Sequence, residues 1–204
     1  MSDKFTPTPL KELLRLILNQ IDSSDQVLGV YKELFFQPDL KDPFRKKRFG
    51  QLLENPLGVA AGPHTQLAQN IVISWLCGAR FIELKTVQTL DELEVSKPCI
   101  DMQDEGYNCE WSQELKIHES FNEYVNAWIL IMILKDKLEI GDSHEAGFIF
   151  NMSVGYDLKG IMKENVQWFL DKMNDASLEI KEKIEEIKDI YPKVTDLRIP
   201  DQLS

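Results

Sequence analysis

Lys85 and Thr86, a cation and a hydroxyl side by side, are the residues of this chain best suited to act on a bound ligand. They follow a short apolar run, Phe81-Ile82-Glu83-Leu84, that reads as a buried strand. Upstream, Ala60-Ala61-Gly62 removes nearly all side-chain volume from the end of an earlier run over residues 57–60, so a flat ligand could lie against the backbone. Asn151 ends a third run, Phe148-Ile149-Phe150. A buried amide there needs partners, because an unsatisfied polar group costs about 1–3 kcal/mol. Each feature also has a plain structural reading. The bare turn could simply be tight, Lys85 could snorkel or pair with Glu83 or Asp91, and Asn151 could bond to a neighbouring strand.

The elements that must position these residues alternate. Strand 57–60, helix 66–76 with Leu67, Ile71 and Trp75 on one face, and strand 81–84 make one βαβ unit closed by Gly78. A long acidic stretch over 89–119 follows, broken at Pro98 and Gly106, and a loop of that length is functional or mobile. A bulky apolar helix is expected over 121–138 and a third strand over 146–150. One helix is expected from Asp157 or Lys159 to Met173, with Met162, Trp168 and Met173 as core residues. A charged amphipathic helix over 178–190 stops at Pro192. Alternation of this kind implies a parallel α/β sheet, whose ligands sit at the carboxyl ends of the strands. Residues 1–42 read as a helical amino-terminal extension, with Thr8 as cap, Pro9 in the first turn and a stripe of Leu10, Leu13, Leu14, Ile17 and Ile21. A strand pair turning near Gly50 is expected over 44–53.

The balance of 23 basic and 34 acidic residues, a net charge of −11, argues against nucleic acid and anionic membranes as partners. Arg45-Lys46-Lys47-Arg48 then reads as a solvated strand or loop. No apolar run approaches the roughly 20 residues of a bilayer span, and Met1-Ser2-Asp3-Lys4 leads into no signal-peptide pattern. Three cysteines, Cys77, Cys99 and Cys109, match no metal spacing and suit a reducing, cytoplasmic setting. His64 could contact a ligand at the rim or cap a helix, while His118 and His144 have no evident role.

Asn-Pro-Leu-Gly-Val-Ala at 55–60, with Lys85-Thr86 closing the next strand, resembles the opening of the flavin barrels of the dihydroorotate and dihydropyrimidine dehydrogenase family. The strings at 61–66, 83–88, 104–108 and 150–158 are similar, in order, to those of selenate-reductase-type large subunits, iron–sulfur flavoproteins built partly from such a barrel. The resemblance implies the amino-terminal half of a TIM-type (β/α)8 barrel over 43–204, within an FMN-dependent oxidoreductase. Such an enzyme transfers hydride to or from a small unsaturated substrate. It implies flavin contacts from Ala60, Ala61, Gly62, Lys85, Thr86 and Asn151, and substrate contacts from Tyr107 and Asn108. It also implies 4Fe-4S clusters, FAD and NAD(P)H elsewhere in the full-length relative, and the remaining half-barrel or further oxidoreductase subunits as partners. Only about three strand–helix units are present, whereas a complete barrel takes ~250 residues. The family's acid–base Cys or Ser, set before a proline after the fourth strand, has no counterpart here, nor have the phosphate loops after strands seven and eight. This chain alone is therefore expected to bind FMN weakly or not at all, and a non-catalytic half-barrel serving as an interaction subunit is the alternative.

Overall fold

The computed structural model describes residues 4–93, 100–101, 107–108, 111–142 and 145–204, with residues 100–101 and 107–108 described as backbone only. Helix α1 (Leu10–Ser24) buries Leu10, Leu13, Leu14 and Ile17 along one stripe. Pro9 itself is the cap residue, its carbonyl accepting from Glu12 and Leu13, so the helix starts one residue later than Thr8 would place it. Two hairpins follow: β1 (Gln26–Val27) with β2 (Val30–Tyr31), and β3 (Lys46–Arg48) with β4 (Gln51–Leu53). Each turns on two residues of positive φ, Leu28-Gly29 and Phe49-Gly50, the backbone that matches the twist of a two-residue hairpin. The strand Lys46–Arg48 is exposed throughout, as the basic run suggested.

Strand β5 (Gly58–Val59) leads through a turn into α2 (Ala68–Leu76) and then β6 (Phe81–Glu83). In the acidic stretch, β7 (Ile100–Asp101) pairs antiparallel with β8 (Tyr107–Asn108). Helix α3 (Ile117–Leu138) starts four residues before the apolar pattern. Two carboxylates account for the difference: Asp91 Oδ1 accepts from Ile117 N at 2.8 Å, and Glu119 accepts from Lys116 N at 3.0 Å. Strand β9 (Ile149–Asn151) is followed by α4 (Leu158–Ile161), α5 (Glu164–Asn174) and α6 (Ser177–Ile187). The single helix expected here is broken because Lys163 is extended, with ψ 151°. Gln167 Nε2 takes the Ile161 carbonyl left over at the break. Met162 consequently lies exposed at the break, not in the core, whereas Met173 is fully buried.

Strands β5, β6 and β9 form one parallel sheet in that order, with Gly58, Phe81 and Ile149 in one row and Val59, Ile82 and Phe150 in the next. The helices are the crossovers, giving three consecutive β–α units. Ile82 and Phe150 face the helical layer, where Trp128 of α3 lies 5.0 Å from Phe150 and 4.7 Å from Phe148, ring to ring. Helix α3 is apolar on nearly every side because α2, α5 and α6 pack around it. Glu83 and Asn151, paired across β6 and β9, fall on the opposite face, which is half-exposed.

At the amino ends of these strands lies a buried ionic cluster that no motif announced. Glu54 accepts from Arg80 Nε at 2.6 Å and from Lys135 Nζ at 3.2 Å, and none of the three is more than 5% exposed. Burial pulls both cations below their ordinary pKa values, and the Glu54 charge opposes that shift. Gly141 and Gly147, at φ +71° and +78°, seat the carboxylate; a Cβ on either would come within 2.0 and 2.5 Å of it.

Candidate functional site

The parallel order brings the carboxyl ends of β5, β6 and β9 to one rim, and with them the bare turn, Lys85-Thr86 and Asn151. After β5 the chain passes Ala60, exposed, and Ala61, half-buried, into a turn fixed by Thr65, which accepts from Gly62 N and donates to Gly62 O, each at 3.1 Å. His64 is exposed on this turn with its ring over Gly62, where an added Cβ would lie 2.6 Å from the imidazole. Capping falls to other residues. Thr65 closes the turn, and Glu123 of α3 accepts from Ala68 N at 2.8 Å at the start of α2.

Strands β6 and β9 continue past their regular ends. Glu83 pairs with Asn151 and Val87 with Val154, so four steps along one strand oppose three along the other. Lys85-Thr86 therefore occupies a β-bulge, a feature that re-aims side chains and is over-represented beside active sites. The bulge is held from several directions. Lys85 N donates to Thr65 O at 3.4 Å, and the Lys85 carbonyl accepts from Tyr124 Oη at 3.1 Å. The Thr86 carbonyl accepts from Gln113 N at 2.8 Å. Lys85 is only 2% exposed, while Thr86 is half-buried, with Gly155 passing close over its methyl group. Neither Glu83 nor Asp91 pairs with Lys85 in the ion pairs among the described residues.

Asn151 is half-exposed, its carbonyl accepts from Leu84 N at 3.0 Å, and its side-chain amide makes no hydrogen bond among the described residues. Beside it Glu83 accepts from Ala61 N at 3.3 Å, tying the bare turn to β6. Glu83 is thus a rim residue in its own right. The period-two pattern of its strand signals this, since Glu83 alternates with buried Ile82 and Leu84.

A second layer of buried amides locks the rim from behind. Gln66 and Glu114 exchange two hydrogen bonds, at 2.8 and 3.3 Å. Gln113 donates to Asp91 O at 3.0 Å and accepts from Gln88 N at 3.1 Å. Burial pushes the Glu123 carboxyl above its ordinary pKa, opposed by the hydrogen bonds from Ala68 N and Asn126. Tyr107 and Asn108 have β backbone, but their side chains, like Gly106, Cys99, Cys109 and His144, lie outside the described residues. His118, without an evident role in the sequence, lies 3.9 Å from Trp168, ring to ring. Among the described residues no three His, Cys, Asp or Glu side chains are grouped to hold a metal ion, and no helix is long and apolar enough to cross a membrane.

Residues 28–201 match the family model described as Oxidoreductase YgfK, N-terminal TIM-barrel domain. The chain is 47% identical over 177 residues to the proteins named "Putative oxidoreductase YgfK" of Escherichia coli K12 and of Escherichia coli O157:H7. Each match covers 87% of this chain and 17% of the relative, so the chain spans about a sixth of the length of those proteins. The three parallel β–α units agree with the matched domain description. This chain belongs to the family of oxidoreductase YgfK N-terminal TIM-barrel domains.

Proposed function

We propose that residues 43–204 form the ring-facing wall of an FMN site in an oxidoreductase barrel, acting in the cytoplasm. The substrate class is a small unsaturated heterocycle or a related carbonyl compound. The observation that carries this reading is the convergence of the bare turn, the bulged Lys85-Thr86 pair and the half-exposed Asn151 amide, without a hydrogen bond among the described residues, on one carboxyl-end rim. These groups suit a flavin ring. The turn offers backbone without bulk, Asn151 offers a donor and an acceptor, and Lys85 offers a fixed positive charge. When bound, FMN supplies a two-electron centre that exchanges hydride with the substrate. Ala60, Ala61 and Gly62 would support the ring, Thr86 would bond at its edge, and Tyr107 and Asn108 would contact substrate. Glu83, through Ala61 N, would hold the turn at its working distance from β6. The remaining strands, iron–sulfur clusters, FAD and NAD(P)H would belong to the longer protein. No residue of the rim accounts for selenate as a substrate.

A second reading, a non-catalytic half-barrel that serves as an interaction subunit, is favoured by the burial of Lys85 at 2% exposure. The test separates the two. This chain is joined to the segment of the E. coli K12 relative that follows its matched residues, and FMN binding and the flavin midpoint potential are measured. The joined protein is expected to bind one FMN. Lys85→Met is expected to lower the potential by about 30 mV or more, which for a two-electron couple is about 1.4 kcal/mol. No FMN binding by a folded joined protein would support the second reading. Normal binding with an unchanged potential would remove Lys85 from the site.

A further inference from the structure

We propose that Tyr124 is a positioning residue of the rim. By holding the Lys85 carbonyl, its hydroxyl aims the Lys85 charge and so sets how strongly the site favours reduced over oxidised FMN. This rests on the flavin reading above and adds to it the residue through which α3 governs that charge.

The bulge creates the need for such a residue. The regular register of β6 with β9 ends at Glu83 and Asn151 and resumes as the bridge between Val87 and Val154. Over Lys85 and Thr86 the sheet does not by itself fix where the side chains point. The carbonyls of both residues are met from outside the sheet: Tyr124 Oη donates to Lys85 O at 3.1 Å, and Gln113 N donates to Thr86 O at 2.8 Å. A buried carbonyl that loses its donor must find another. Without the Tyr124 hydroxyl the peptide after Lys85 has reason to rotate, and the Lys85 side chain turns with it. A charge acts on a neighbouring ring more strongly the closer it lies and the less water surrounds it. Lys85 is buried, so a small change in its aim alters the relative binding of the two redox states.

Tyr124 can hold a position because it is itself held. It is fully buried on α3, a helix of 22 residues, and its ring meets Phe169 of α5 edge-on, 6.2 Å between centroids. The residue before it, Glu123, accepts from Ala68 N at 2.8 Å. One turn of a rigid helix thus reaches both halves of the wall. Glu123 fixes the start of α2 behind the bare turn, and Tyr124 fixes the bulge. The halves are also tied to each other, since Lys85 N donates to Thr65 O at 3.4 Å and Thr65 closes the turn at Gly62. Tyr124 therefore governs where the charge stands relative to the backbone that would carry the ring.

The test compares flavin midpoint potentials in the joined protein. Tyr124→Phe keeps the ring and its contact with Phe169 and removes only the donor. It is expected to lower the preference for reduced over oxidised FMN about threefold, a fall of about 15 mV for a two-electron couple. Tyr124→Phe combined with Lys85→Met should have the potential of Lys85→Met alone, because residues that act through one charge are not additive. Tyr191→Phe is the control. It removes the bond from Tyr191 Oη to Asp136, 2.6 Å long and near the other end of α3, and should leave the potential unchanged. In the chain alone, without flavin, Tyr124→Phe should shift the amide signals of Lys85 and Thr86 more than those of α3 beyond the turn that carries the substitution. An unchanged potential in Tyr124→Phe, an additive shift in the double variant, an equal fall in Tyr191→Phe, or amide changes confined to α3 would each overturn the proposal and leave the flavin reading standing. A folded wild-type joined protein that binds no FMN would instead overturn both.

Discussion

Replacing Glu54 by alanine removes the only carboxylate hydrogen-bonded to two buried cations among the described residues, Arg80 at 2.6 Å and Lys135 at 3.2 Å. Arg80 keeps the carbonyls of Trp75 and Ala79 and the faces of Trp75 and Phe36, so it stays buried and charged. Breaking a buried pair by removing one partner costs about 3–5 kcal/mol, because the remaining charge is uncompensated. For a domain of this size each kcal/mol moves the melting temperature by about 2–4 °C, which predicts a fall of about 6–20 °C. Thermal unfolding followed by circular dichroism, with urea titration alongside, measures it. Glu54→Leu combined with Arg80→Met and Lys135→Met should recover most of the loss, because apolar replacement of a whole buried cluster is often neutral. A fall of less than about 3 °C for Glu54→Ala, or a triple variant less stable than the single, would refute the assignment of this cluster as the clamp on the amino ends of the strands.

Two further outcomes follow from named contacts. A methyl group at Gly58 would sit 1.8 Å from the Phe81 carbonyl oxygen, so Gly58→Ala must push β5 off β6. A loss of about 1–3 kcal/mol or more, typical of overpacking, is expected in urea unfolding. Glu123 has its carboxyl raised above 4.5 by burial, so the folded state holds its proton more tightly than the unfolded one. Stability from this group is greatest at or below pH 4.5 and falls as pH rises through the folded-state value. Glu123→Gln should flatten that segment of the stability–pH curve, and an unchanged slope would contradict it.

The sheet was legible because its strands are apolar runs between turn residues, and the resemblance supplied the barrel. Helix starts were less so. The onset of α3 depends on Asp91, which is 26 residues away from Ile117 in the chain and invisible to any local pattern. The break between α4 and α5 was also hidden, since no proline or glycine marks Met162-Lys163. At the rim, the bare turn, Lys85, Thr86 and Asn151 were visible as residue types at strand ends. The bulge was not, because it is a difference in register between two strands distant in sequence. Nor was the second role of Glu83, which depends on which face of β6 meets the turn after β5. The Glu54–Arg80–Lys135 cluster carries no motif at all, because its members come from a hairpin, a strand entry and a helix.

The most direct test of the proposed flavin wall is to titrate FMN into the isotope-labelled joined protein and follow backbone and side-chain amide shifts. The proposal predicts the largest shifts at Ala60, Ala61, Gly62, Lys85, Thr86 and the Asn151 side-chain amide, with Glu83 moving through its bond to Ala61. Shifts centred instead on the cavity lined by Gln51, Trp128 and Arg198, at the opposite end of the strands, would contradict it. So would the absence of any saturable shift at the rim.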